Sequence, residues 1–181
     1  MSEELEVLKV VTGQLEKANI PYLVSGSMAA NYYTVPRMTR DIDIVVELKI
    51  SEVENFVRLF QKDFMVQGES IKEEIERNGM FNLIHKKFII KIDFILRKES
   101  RFQNSMFSRR QKVSIQDQPM YFISAEDLIL AKLSWAKDSL SDMQLNDVRN
   151  IIATRGNLDL AYIEKWIGDL KLEEIYKKVI K

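Results

Sequence analysis

Apolar residues recur at three- to four-residue spacing from about Glu3 to Ala18, at Leu5, Leu8, Val11 and Leu15. That period predicts an amphipathic helix facing a core, ended by Asn19 and Pro21. The pattern then shortens. Tyr22-Leu23-Val24-Ser25 is a brief apolar run ending in Gly26-Ser27, and Met28 to Tyr33 has the small and unbranched residues that suit a helix, closed by Pro36. Asp41 to Glu47 alternates at its start and is rich in β-branched residues, which predicts a strand with carboxylates at its entry.

Ser51 followed by Glu54 reads as a capping box for a helix carrying Val53, Phe56, Val57 and Phe60. Phe64-Met65-Val66 suits a short strand, and Ser70 to Arg77 a charged helix stopped by Asn78-Gly79. Phe81 to His85 and Phe88 to Leu96 read as a hairpin closed by a two-residue Lys86-Lys87 turn. A short helix near Phe102 to Phe107 follows, then strands at Lys112 to Ile115 and Met120 to Ile123. From Ser124 the period is helical, with starts at Ser124 and Ser141, a stop at Gly156, and two more helices near Leu160–Ile167 and Leu172–Val179. The trace predicts an α/β (α+β) fold, with a mixed β-sheet flanked by helices over residues 1–123 and a helical subdomain packed on it over 124–181.

A chain of 181 residues and 21.2 kDa is one domain, or one with a small helical appendix. Lys+Arg and Asp+Glu both number 27, which argues against a globally basic coater of nucleic acid. There is no cysteine and one histidine, so thiolate chemistry, thiolate zinc sites and poly-His metal sites are excluded. Chemistry must run on carboxylates, lysines and hydroxyls. No stretch approaches the roughly 18 apolar residues of a membrane span, and the acidic N-terminus lacks the features of a signal peptide. The expectation is a cytoplasmic protein with no membrane partner.

Alternate strand residues share a face, so Asp41 and Asp43 point the same way while Ile42 and Ile44 point to the core. Two carboxylates roughly 6–7 Å apart along one strand repel, and gain most from a divalent cation between them. Asp93 is a carboxylate inside an otherwise apolar strand, on the same face as Lys91 and Ile95. If that strand lies beside the Asp41 strand, three carboxylates converge as in a two-metal Mg²⁺ site for phosphoryl or nucleotidyl transfer. The Gly26-Ser27 turn entering a helix offers free backbone N–H groups and a hydroxyl to phosphate oxygens.

Gly26-Ser27, thirteen intervening residues, Asp41-Ile42-Asp43-Ile44 and a later Ile92-Asp93-Phe94 resemble the signature of the DNA polymerase β-like nucleotidyltransferase superfamily, over about Tyr22 to Leu96. Thr39-Arg40-Asp41-Ile42-Asp43 and the helix from Ser124 to Leu133 further resemble the AbiEii-type toxin branch and its uncharacterised relatives. The resemblance implies a nucleotidyltransferase fold, two Mg²⁺ ions held by Asp41, Asp43 and Asp93, and a nucleoside triphosphate such as ATP as substrate. Gly26 and Ser27 would hold the β- and γ-phosphates, and Arg40 or Lys132 would neutralise the leaving pyrophosphate. Asp147 matches the branch's later aspartate, although Asn146 stands where an arginine usually precedes it. The branch implies an RNA (tRNA-like) or protein acceptor and a cognate antitoxin. The wider superfamily adds small antibiotics of the aminoglycoside or lincosamide type.

The same residues also have plainer readings. Ser27 suits an N-cap, Asp127 a capping-box acid, and Lys132 a snorkelling lysine among Leu128, Ile129, Leu130 and Leu133. His85 reads as an ordinary strand residue. Trp135, Trp166 and most Phe and Tyr residues read as core, with Tyr32 and Tyr33 as candidates for base stacking. Between Lys86 and Lys112 stand nine basic residues against Asp93 and Glu99, which reads equally as solvated faces or as a polyanion track. A non-catalytic binding module on this fold, or a metal-dependent nuclease, are the competing functions.

Overall fold

The computed structural model describes residues 2–139 and 141–180. Met1 and Lys181, at the limits of the two expected units, and Leu140 within the helical one, lie outside the described residues. Helix α1 (Glu3–Lys17) buries Val7, Leu8, Val11 and Leu15, and Asn19 at φ 54° turns the chain into β1 (Tyr22–Val24). Helix α2 (Gly26–Tyr33) and β2 (Asp41–Val46) follow. Next come a 3₁₀ turn (Ile50–Glu52), α3 (Val53–Phe60), β3 (Phe64–Met65) and α4 (Gly68–Arg77). The hairpin strands are β4 (Met80–His85) and β5 (Lys91–Leu96). After α5 (Arg101–Ser108) come β6 (Gln111–Ile115) and β7 (Gln118–Phe122). Helices α6 (Ala125–Ser139), α7 (Asp142–Thr154), α8 (Leu160–Asp169) and the short α9 (Glu173–Tyr176) complete the chain.

Among the described residues, seven strands form one mixed sheet in the order β3-β4-β5-β2-β1-β7-β6. β2 pairs with β5 in parallel, and so does β1 with β7, while the remaining pairs are antiparallel. One face of the central strands carries Ile42, Ile44, Ile92 and Phe94, all fully buried. Phe94 stacks on Phe81 at 5.1 Å, and the edges of Phe56 and Phe60 from α3 meet it at 5.4 and 6.2 Å. This aromatic block fixes which way β5 faces and thereby commits Asp93 to the opposite side.

The connection from β4 to β5 is longer than the expected two-residue turn. Lys86 N–H donates to Asp63 O, Ile89 N–H donates to His85 O with Ile89 at φ 53°, and the His85 ring stacks on Phe88 at 4.9 Å. Residues 86–90 therefore form a packed loop, because neither lysine favours the positive φ that a tight hairpin needs. The capping box also lies earlier than expected: the Glu52 carboxylate accepts from Lys49 N–H at 2.8 Å, and the 3₁₀ turn feeds α3. Trp166 is buried as expected, but Trp135 is 64% exposed. It falls on the outer side of α6, whose Leu128, Ile129, Leu130, Leu133 and Ala136 already fill the core. Among the described residues no helix is long and apolar enough to cross a membrane.

Candidate active site

Parallel register brings the carboxylates together. Asp43 on β2 stands beside Asp93 on β5, and two residues earlier Asp41 stands beside Lys91. Registered neighbours share a sheet face, so three carboxylates and one ammonium form a two-by-two array. The Asp43 row continues outward to Asn82 on β4 and inward to the end of β1, where Ser25 N–H donates to Asp43 O at 2.8 Å. Asp41 is exposed, Asp43 half-buried and Asp93 buried. Burial raises the Asp43 pKa above the carboxylate norm, Asp93 and Asp41 add to the rise, and Lys132 and Lys91 oppose it. Lys91 Nζ donates to Asp93 Oδ2 at 2.8 Å.

Gly26 opens α2 at φ 61°, where a Cβ would fall on the Asp43 carboxylate, within 2.9 Å of the Asp43 Cβ. Only glycine lets the turn approach the acid row so closely. Ser27 does not cap α2. The flanking position is Ser25, without a side-chain bond, and Ser27 Oγ instead accepts from Arg37 Nη2 at 2.7 Å.

Arg37 is the residue that spacing did not single out. Asn31 holds its backbone at both ends, with Nδ2 donating to Arg37 O at 2.8 Å and Oδ1 accepting from Arg37 N–H at 3.0 Å. Its guanidinium also binds Asp147 on α7, Nε to Oδ1 at 3.1 Å and Nη2 to Oδ2 at 3.0 Å. Lys132 on α6, 3% exposed, donates to Asp147 Oδ2 and to Gln144 Oε1, both at 2.8 Å. Burial pushes Asp147 up, but the hydrogen bonds from Arg37 and Lys132 outweigh it and hold the carboxyl below its usual range. Burial lowers Lys132, with Asp147 opposing. Ser27, Arg37, Asp147 and Lys132 are thus one connected set beside the acid row. Arg40 stays outside it, exposed and without a hydrogen bond among the described residues.

Asp127 belongs elsewhere. It accepts from Ser124 Oγ and Tyr162 OH, both at 2.6 Å, and from Arg109 Nε at 3.3 Å, tying α5, α6 and α8 together. Its bond to the Ser124 hydroxyl, in addition to its own N–H on Ser124 Oγ at 3.1 Å, extends the expected capping box. Tyr33 is buried with its hydroxyl on Ile123 O at 2.6 Å, while Tyr32 is 42% exposed. The basic stretch is not a continuous free track. Lys86 donates to the carbonyls of Gln61 and Lys62 just after α3, Lys91 binds Asp93, Arg97 pairs with Glu47, Arg109 meets Glu126 and Asp127, and Arg110 packs on Phe107 and Tyr121.

The three carboxylates are hard oxygen donors, which suits Mg²⁺ rather than a softer metal, and the turn at Gly26 lies directly against Asp43. The donor chemistry therefore fits the metal. As the side chains stand, no group of three or more Asp, Glu or His among the described residues is set to hold an ion. Asp93 is turned to Lys91 instead.

No family model and no curated protein matches the chain. Solved structures do. An antigenic nucleotidyltransferase-like protein from Paracoccidioides brasiliensis aligns with a TM-score of 0.55 at 19% identity, over 84% of this chain and 76% of its own. The lincosamide antibiotic adenylyltransferase LnuA, solved with lincomycin bound, gives 0.57 at 15% identity, over 86% and 98%. The antibiotic-resistance factor ANT(2'')-Ia gives 0.58 at 11% identity, over 97% and 95%. The mixed sheet and its flanking helices are a nucleotidyltransferase fold.

Proposed function

We infer that the chain is an Mg²⁺-dependent nucleotidyltransferase that moves a nucleoside monophosphate from a nucleoside triphosphate to an acceptor hydroxyl. The observation that carries this reading is the registered pair Asp43 and Asp93, with Asp41 on the same face and Gly26 against Asp43. Two Mg²⁺ ions on these carboxylates would offset triphosphate charge and activate the acceptor oxygen. The Gly26-Ser27 turn and the first N–H groups of α2 bind the β- and γ-phosphates. Arg37, already on Ser27 Oγ, and Lys132 supply fixed positive charge to the leaving pyrophosphate. The acceptor oxygen bonds to the α-phosphorus as the bond to the β-phosphate oxygen breaks, and Asp93 takes the acceptor proton. Helices α6 and α7, from the helical part after Ser124, complete the site through Lys132 and Asp147.

For the acceptor, the AbiEii-like phrases favour an RNA (tRNA-like) or protein hydroxyl within a toxin–antitoxin pair. The likeness to LnuA and ANT(2'')-Ia favours an aminoglycoside or lincosamide antibiotic instead. Incubation with α-labelled triphosphates and Mg²⁺, in separate arms with total RNA, lysate protein, an aminoglycoside and a lincosamide, distinguishes them. Label should move in one arm and vanish in Asp43→Asn. Equal transfer by wild type and Asp43→Asn would sink the enzymatic reading, and no transfer with no triphosphate-induced thermal shift would leave a binding module.

A further inference from the structure

Lys91 is the one cation inside the two-by-two array. It shares a face with Asp41 and Asp43 on the neighbouring strand and is bonded to Asp93 Oδ2 at 2.8 Å. The pairing is lopsided: the Asp93 side chain is 10% exposed, whereas that of Lys91 is 45% exposed. The carboxylate is fixed by the strand and the aromatic block behind it, while the lysine is a flexible arm reaching in from solvent. Lys132, which also acts on Asp43, is buried and already bonded to Asp147 and Gln144. Three carboxylates on one face repel, and one partly exposed ammonium offsets that repulsion while occupying an oxygen that a metal ion needs.

We propose that Lys91 is a built-in counter-cation for the carboxylate cluster, which neutralises Asp93 in the metal-free protein and surrenders it when a divalent ion enters. This rests on the metal-dependent reading of the site. Replacing one positive charge by two at the same carboxylates is favourable, but the lysine sets a threshold, since the ion must first displace it. Lys91 thereby tunes metal affinity downward and stabilises the site in the absence of metal. It acts through Asp93 and is a positioning residue.

The test uses the full chain and Mn²⁺ as the probe, with binding followed by calorimetry or by the paramagnetic signal of free Mn²⁺, and melting followed in parallel. Lys91→Met is expected to bind Mn²⁺ about tenfold more tightly than wild type, because a nearby positive charge has gone. In chelator it should melt lower than wild type, and the deficit should close as Mn²⁺ is added. Lys91→Arg keeps the charge and should stay near wild type. Lys91→Gln repeats the neutral substitution should the methionine variant not fold. Equal Mn²⁺ affinity in wild type and the neutral variants, or a melting deficit that Mn²⁺ leaves unchanged, overturns the role of Lys91 alone. Wild type and Asp43→Asn both failing to bind Mn²⁺ overturns the metal-dependent reading and this inference with it.

Discussion

The Arg37 guanidinium meets the Asp147 carboxylate side-on, two parallel N–H···O bonds of 3.1 and 3.0 Å across 110 residues of sequence. The same guanidinium reaches Ser27, so the turn at the head of α2 is braced by α7. Arg37→Ala should destabilise the fold by about 1–3 kcal/mol, towards the lower end because Arg37 is a third exposed, and Arg37→Lys should recover part of it. Denaturant melts give the stability. A double-mutant cycle with Asp147→Asn should show coupling well above the few tenths of a kcal/mol (about 0.3–0.5) expected of independent sites.

Asp147 also predicts a pH dependence. Its carboxyl is held below the usual aspartate range, so the stability it contributes is fully present above the unfolded-state pKa and is lost as pH falls through the lower folded-state value. Melting temperature followed from neutral pH to below pH ~4 should fall less steeply in Asp147→Asn than in wild type. Parallel curves would show that the two cations do not hold the carboxylate.

Much of this candidate site was legible in the sequence as an arrangement because its parts are local. Asp41 and Asp43 alternate on one strand, Asp93 interrupts an apolar one, and Gly26-Ser27 sits at a strand-to-helix turn, all visible from spacing. Arg37 was not legible in this way, since its value depends on Asp147 being folded against it. Spacing offered Arg40, the nearer arginine to the strand, which faces solvent. Two signals were available for Arg37: its place just after Pro36, in a loop that cannot stray far from the turn, and Asn31, an asparagine able to hold a loop backbone. The hairpin loop is longer than its residues suggest because His85 and Phe88 stack and Ile89 takes positive φ, a tertiary packing choice that residue propensities do not announce. Trp135 reads as core on its apolar character, yet α6 already fills the core with smaller residues and leaves the indole outside.

Gly26→Ala should separate fold from site. The new Cβ would fall on the Asp43 carboxylate at a backbone φ of 61°, so it strains the turn and displaces the acid together. A loss of about 1–3 kcal/mol in stability is expected from an L-residue forced into this region against the Asp43 side chain. Nucleotide transfer should fall far more than stability does. Alanine at Gly156, where a Cβ would meet nothing within 4 Å, should leave transfer unchanged and serves as the control.

Asp43→Asn should move stability and activity in opposite directions. Burial first, and then Asp93 and Asp41, raise the Asp43 pKa, so the fold holds its proton more tightly than the unfolded chain does. Stability therefore falls as pH rises from the unfolded-state pKa through the folded-state one, and the whole penalty of the charged form is in place above the folded-state value. A neutral amide of the same shape removes that penalty. In chelator, above the folded-state pKa, Asp43→Asn should melt above wild type, and the advantage should shrink as the pH is lowered and wild-type Asp43 takes up its proton. Label transfer from a triphosphate should drop by orders of magnitude, because the carboxylate nearest the Gly26 turn has lost its charge. A variant that melts below wild type in chelator would mean that Asp43 serves the sheet rather than the site.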